Sequence, residues 1–433
     1  MPAHDEQTPP PDGAETNDVP VGSLPIGYVT SRFPVLTETF VLFEVLALER
    51  RFAVHFFPLL RERVDVVHAE AAELGKRVQH LPFLSVPILR SQLHYLRRSP
   101  GVYCRALWDV LKGTFGSSNF FFGALGIFPK SVHAARLMEA AGVRHVHCAW
   151  ATHPAVTGFV IRRLVGIPFS FTAHGSDLHV DRTMLCEKLS EAAFAVAISG
   201  FNRNVIGDEC GPARLEKVEV IHVGVDTDVF RPREGEQPPG GFRILCVGRL
   251  DEGKGQTHLI EAGRRLADEG VDFVMEIVGE GDRRERLERQ IEESGLGDRV
   301  AIDGAHPRAE IAERMRAMDV IVAPSVPIGN GKKEGIPVVL MEAMSCGLPV
   351  VASDLAGIAE LVENERTGFL VAPGDPDAIA AALRRLAHDT GLRSELGRAG
   401  REKVVREFNT DRNTAALGDR IMAAIDGSAA GAR

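Results

Sequence analysis

The 433-residue chain contains no run of 18 apolar residues, so no conventional membrane-spanning helix is expected. Residues 1–20 are acidic and Pro-rich, with Pro9, Pro10 and Pro11 in succession. They have neither the basic start nor the apolar core of a secretory leader, and a disordered tail is expected there. No two cysteines form a Cys-x-x-Cys pair; the six (Cys104, Cys148, Cys186, Cys210, Cys246, Cys346) are scattered, which suits a reducing, cytoplasmic setting. A surplus of positive charge is also missing. The net charge of −9 argues against nucleic acid as the main partner. Finally, no strand is followed by a complete Gly-x-Gly-x-x-Gly or a Gly-Lys-Ser/Thr phosphate loop, which disfavours a nicotinamide dehydrogenase.

What is present is a regular alternation of short apolar runs with helical patterns. Strands are predicted at 24–30, 53–59, 143–150, 168–174, 194–199 and 217–223. A polar Pro/Gly segment at 231–241 reads as a linker. A second series follows, with strands at 242–248, 272–279, 299–304, 319–325, 348–353 and 368–373. These runs are almost continuously apolar, as expected when helices cover both faces of a parallel sheet. The α/β pattern predicts two doubly wound, Rossmann-like domains, 21–232 and 233–410, facing across a cleft. A final helix, within 411–433, has the option of crossing back to the first domain.

Two loops in the second half carry chemistry. The first is Gly248-Arg249-Leu250-Asp251-Glu252-Gly253-Lys254-Gly255, which puts two cations at a strand-to-helix turn where a pyrophosphate gains from both and from the helix N-terminus. The second is Glu334-Gly335-Ile336-Pro337 leading into a helix that carries Glu342. A turn plus a helix separates the two carboxylates by roughly 10 Å, about the distance between the sugar ring and the ribose of a nucleotide-sugar. Gly335 and Ile336 offer backbone N–H groups between them.

This cation loop, together with the block from Glu334 through Glu342 to Ser353, resembles the family 4 retaining glycosyltransferases of the GT-B fold, over about residues 26–408. The resemblance implies that Arg249 and Lys254 hold the donor diphosphate, Glu334 contacts the transferred sugar and Glu342 binds the ribose hydroxyls. Gly248, and Gly279 and Gly281 of the next strand-end loop, would lie beside the nucleotide. In the first half, Ser31 to Phe40, His147 to Pro154 and Phe171 to Asp177 are similar to a bacterial exopolysaccharide branch, the colanic-acid-type transferases. The glycine pair that many family members carry in the first of these loops is missing. His174, at a strand end before Gly175, matches the family histidine that touches the donor sugar, with Asp177 either orienting it or capping the next turn. Thr37, Glu38, Phe40, Trp150, His153 and Asp177 are expected on the acceptor side, although Thr37 also suits a helix N-cap.

The expected activity is therefore hexosyl transfer, with retention, from a UDP- or GDP-sugar to a saccharide or lipid-linked saccharide, in exopolysaccharide or envelope glycan synthesis. Two cations at the leaving diphosphate make a metal or cofactor unnecessary. The histidines (His145, His147, His153, His174, His179) match no known metal spacing, and Asp226-x-Asp228 and Asp375-x-Asp377 suit turns and caps. Rival readings are another GT-B enzyme, such as a sugar-nucleotide epimerase, and a non-catalytic nucleotide-sugar binder. Between Ser85 and Arg136 seven basic residues and one acid mix with aromatics, which predicts peripheral contact with an anionic membrane at its inner face.

Overall fold

The computed structural model describes residues 24–34, 39–62, 69–78, 83, 85–235, 241–327 and 335–431. All twelve predicted strands form, each within about three residues of its expected limits at either end. They are Leu24–Phe33 (β1), Phe52–Arg61 (β2), His145–Cys148 (β3), Phe169–Ala173 (β4), Phe194–Ala197 (β5), Val218–Val220 (β6), Phe242–Val247 (β7), Phe273–Val278 (β8), Val300–Asp303 (β9), Val320–Ala323 (β10), Val350–Ser353 (β11) and Phe369–Val371 (β12).

Every pairing between them is parallel, in two six-stranded sheets of order β2-β1-β3-β4-β5-β6 and β12-β11-β10-β7-β8-β9. The strand order reverses between β1 and β3 and again between β7 and β10. At each reversal the crossover helices leave to opposite faces, which opens a crevice at the carboxyl ends of the strands. β4 and β11 are buried at every position, because helices cover both faces. This is the GT-B architecture.

The last helix, Thr410–Gly431, packs on the first sheet. Its Leu417, Ile421 and Ile425 share a core with Ile26, Val45 and Phe194. A bridge from Val225 to Asn409 marks where the chain passes between the halves, and Gly224 leaves room for it: a Cβ there would lie 2.4 Å from the Thr410 backbone.

Between β2 and β3 the first half carries a helical insertion, Val86–Arg98, Pro100–Thr114 and Ser118–Ala140. The reading of six separate thiols needs one correction. Cys186 and Cys210 are bonded to each other, their Cα atoms 5.2 Å apart. They stand 24 residues apart on two different helices, so sequence spacing does not signal the pair. Residues 1–20 lie outside the described residues.

Candidate active site

The loop after β7 and the loop after β8 are zipped together by their backbones. Gly248 N–H donates to Val278 O (3.0 Å) and Leu250 N–H to Glu280 O (2.9 Å). The glycines make this approach possible. A Cβ on Gly279, whose φ is +152°, would sit 2.0 Å from Gly248 O, and one on Gly281 would sit 2.3 Å from Leu250 O. Gly255, at φ +67°, starts the helix Gln256–Asp268, and the buried Gln256 side chain donates to Arg249 O at 2.9 Å. The backbone that carries the two cations is thus rigid, while the Arg249 side chain is exposed and pairs with Asp251 of its own loop at 2.9 Å. The Lys254 stem lies across the bare Cα of Gly248, about 3.6 Å from where a Cβ would be.

Pro337, with extended backbone, precedes the helix Val338–Ser345. Leu340, Met341, Ala343 and Met344 bury the faces around Glu342. Burial pushes the Glu342 carboxyl up to about 7, and the Arg308 guanidinium opposes that shift. Arg308 begins the helix Arg308–Ala317, and its guanidinium sits 4.1 Å from the Phe43 ring, 5.0 Å from the Phe230 ring and 3.8 Å from Asp226. It joins the helix Thr39–Leu48, the first among the described residues, to the connecting segment and lies within the field of Glu342. Sequence reading missed it, since a Pro-Arg pair at a helix start is an ordinary surface signal. Glu334 lies outside the described residues, as do Thr37 and Glu38.

In the first half, three predicted residues converge. The His174 ring, at the end of β4, lies 4.8 Å from Phe40 and 4.4 Å from Trp150. His174 is buried, and burial pushes its imidazole down to about 4 despite a hydrogen bond with the Ala149 backbone. It is therefore neutral at physiological pH. One ring nitrogen donates to the Ala149 carbonyl, which leaves the other as an acceptor.

His153 does not join this group. It stacks on Phe120 (4.8 Å), in a space that exists because residue 123 is glycine. Asp177 does not reach the His174 ring. Its carboxylate accepts from the backbone N–H of Ala151 (3.0 Å) and of His174 (3.1 Å), so it holds the loop and not the imidazole. On the opposite side the Ala151 carbonyl accepts from the buried Lys188 ammonium at 2.6 Å. His145, His147, Ser170 and Thr172 form a buried hydrogen-bonded ladder between β3 and β4. Asp375 caps a helix through Ala378 N–H, and Asp226 accepts from Asp228 and Val229 N–H.

The two halves meet where the site residues lie. A Cβ on Gly175 would come 3.6 Å from Gly335 N, and one on Gly335 would come 3.6 Å from Ile198. The Glu360 carboxylate, from the second half, accepts from Gly200 and Phe201 N–H, at 2.8 Å each, at the start of the helix Gly200–Cys210. The His174–Gly175 corner and the Gly335–Ile336 loop thus form opposite walls of one crevice.

Comparison with known proteins agrees with this architecture. The family described as glycosyl transferases group 1 matches residues 230–403. The amylovoran biosynthesis glycosyltransferase AmsK of Erwinia amylovora is 31% identical over 411 residues, covering 89% of this chain and 96% of that protein. The putative colanic acid biosynthesis glycosyltransferase WcaL of Escherichia coli is 40% identical over 195 residues, 45% of this chain and about half (48%) of that protein's length. Among solved structures, Anabaena HepE in complex with UDP superposes with a TM-score of 0.68 at 20% identity, covering 92% of this chain and all (100%) of that one. A glycosyltransferase from Rickettsia africae gives 0.69 at 18% identity, covering 94% and 99%. The two-domain GT-B fold is shared by enzymes of more than one activity, and it is the likeness to AmsK over most of both chains that makes this a glycosyltransferase by class. The chain belongs to the group 1 glycosyltransferase family.

Proposed function

We propose that the chain transfers a hexosyl group, with retention, from a nucleoside-diphosphate sugar to a saccharide or lipid-linked saccharide during exopolysaccharide or envelope glycan synthesis. The names of the relatives, amylovoran and colanic acid transferases, support the biological setting. The observation that carries the reading is the rigid glycine-built loop that presents Arg249 and Lys254 at the carboxyl end of β7.

In this reading the anomeric C–O bond breaks and a nucleoside diphosphate departs. Negative charge grows on its oxygens, where Arg249, Lys254 and the N-terminal end of the helix Val338–Ser345 stabilise it. Asp251 releases Arg249 to the diphosphate, whose two charges outweigh a single half-buried carboxylate. The acceptor hydroxyl forms the new C–O bond on the same face and passes its proton to the departing phosphate. No metal takes part. Glu334 holds the transferred sugar, and Glu342 accepts from the ribose hydroxyls. The nitrogen of His174 not bonded to Ala149 is an acceptor, so it receives a hydrogen bond from a sugar hydroxyl and donates none. Gly248, Gly279 and Gly281 line the nucleotide, while Phe40 and Trp150 form the acceptor wall. Asp177 and His153 support that wall from behind.

A thermal-shift panel of UDP- and GDP-sugars tests the reading. One nucleotide-sugar is expected to raise Tm in a saturable way, and the Arg249→Ala/Lys254→Ala double variant to abolish the shift. A full shift retained in that variant would refute the assignment.

A further inference from the structure

The helix Val86–Arg98 presents three distinct stripes. Ile88, Ser91 and Tyr95 are buried against the helix Ser118–Ala140, with Ser91 Oγ bonded to His133 Nδ1 at 2.9 Å. A second stripe, Val86, Leu89, Leu93 and Leu96, is exposed, Leu89 by 52% and Leu93 by 49%. The third, Arg90, His94 and Arg97, runs beside it at helical spacing. Arg90, His94, Arg97, Arg98 and Arg136 line an open cavity of about 520 Å³ together with Leu93. Glu139 pairs with Arg98 at 2.8 Å. Among the described residues no carboxylate pairs with Arg90, Arg97 or Arg136.

Three guanidinium groups without a carboxylate, beside the Arg98–Glu139 pair, repel each other unless an anion enters the hollow, and bidentate geometry favours phosphate oxygens. An exposed leucine rail beside such a hollow is costly in water. It is stabilised where a headgroup layer meets acyl chains, at a depth of roughly 5–10 Å. Trp108, exposed by 65% on the next helix, Pro100–Thr114, adds a side chain suited to that boundary.

We infer that this cavity is a binding site for the phosphate headgroup of an anionic phospholipid, with Val86, Leu89 and Leu93 entering the acyl boundary beside it. The site seats the first half of the protein on a membrane. It involves no step of sugar transfer, so it stands or falls separately from the proposed reaction.

The test is co-flotation of the full chain with vesicles of phosphatidylcholine alone and with phosphatidylglycerol added, at low salt. Wild type is expected to float with the anionic vesicles only. Each arginine near such a surface is worth about a fivefold change in partition, so Arg90→Ala/Arg97→Ala is expected to lower it about 25-fold. Leu89→Asp/Leu93→Asp is expected to abolish flotation. Both variants should keep the wild-type far-UV dichroism and the wild-type turnover of a water-soluble acceptor. Wild type that ignores anionic vesicles would overturn the inference, as would either variant that floats like wild type. So would inorganic diphosphate that fills the site at micromolar concentration and leaves the leucines without effect, since that marks a site for a soluble anion. A wild-type dimer that Leu89→Asp/Leu93→Asp converts to monomer, with vesicle binding intact, would overturn it in favour of a second copy of the chain.

Discussion

Gly175 and Gly335 face each other across the crevice so closely that a Cβ on Gly175 would lie 3.6 Å from the Gly335 amide. That distance is an ordinary contact for a methyl group and too short for anything branched. The backbone at Gly175 has no positive φ, so a larger residue fits locally and strains only the approach of the two halves. Gly175→Val is therefore expected to leave Tm within a few degrees of wild type and to lower kcat about tenfold or more, by holding the walls apart. Steady-state kinetics beside a thermal melt check it; unchanged kcat would show that the approach is not needed.

Glu360 ties the halves together from behind. Its carboxylate satisfies two backbone N–H groups at a helix start, where negative charge is also favoured by the helix dipole. Glu360→Ala is expected to destabilise the protein by about 1–3 kcal/mol, and Glu360→Gln, which keeps one acceptor, by less. Chemical denaturation measures both. Equal stability of all three proteins would mean that water replaces the carboxylate without loss.

Arg249 and Lys254 carry the transfer hypothesis. Removing one preorganised charge at a developing anion costs about 10²–10³ in kcat. Arg249→Ala and Lys254→Ala are each expected to fall in that range, and EDTA to leave wild-type turnover unchanged. Near-normal turnover in both variants would sink the assignment, and inhibition by EDTA that added magnesium reverses would return a metal to the mechanism.

Glu342 makes a pH-dependent prediction for the protein without donor. Its carboxyl is raised from 4.5 to about 7 by burial. As pH rises above 4.5 the unfolded chain loses this proton and the folded chain keeps it, so stability falls until the folded group ionises near 7. Glu44, raised to about 7 by burial although the hydrogen bond from the Tyr28 hydroxyl opposes the shift, adds a second contribution in the same window. Glu342→Gln is expected to flatten part of that slope in denaturation curves measured between pH 4.5 and 7. With Glu342 accepting from the ribose hydroxyls, as proposed, donor affinity is expected to weaken as pH drops through 7 and the carboxylate is protonated. A slope identical to wild type would place Glu342 in water.

Ala151 has both of its backbone groups held by buried ionisable side chains, its N–H by Asp177 and its C=O by Lys188. Burial lowers the Lys188 ammonium to about 7, although Asp177 opposes the shift. Between that value and 10.5 the unfolded chain binds the proton and the folded one does not, so this group makes stability rise with pH. Lys188→Met strands the carbonyls of Ala151 and Thr183, and is expected to cost about 1–3 kcal/mol and to remove that rise. It should also raise KM for the acceptor, because Trp150 loses its anchor. Wild-type KM and an unchanged alkaline limb would argue that the loop is held by packing alone.

The twelve strands were legible because most are short apolar runs, the inner ones such as β4 and β11 covered on both faces, a pattern that residue order alone carries. The Gly248–Gly255 loop was legible for a related reason: glycine and two cations within one turn are a local signature. Arg308, Glu360 and Lys188 were not legible. Each acts on groups from distant segments: Arg308 on Phe43 and Glu342, Glu360 on Gly200 and Phe201, Lys188 on Ala151. A charged residue in a helix looks the same in sequence whether water or a buried carbonyl receives it.

By itself, residue order determined the two parallel sheets and which residues stand in the loops at the strand ends, because periodicity and turn residues act over a few positions. Only tertiary structure decided which of those loops face each other. It turned His153 and Asp177 inward, joined Cys186 to Cys210, brought Glu342 within the field of Arg308 and gathered four arginines around one hollow. Those outcomes depend on which distant side chains share a desolvated space, and desolvation is a property of the packed molecule.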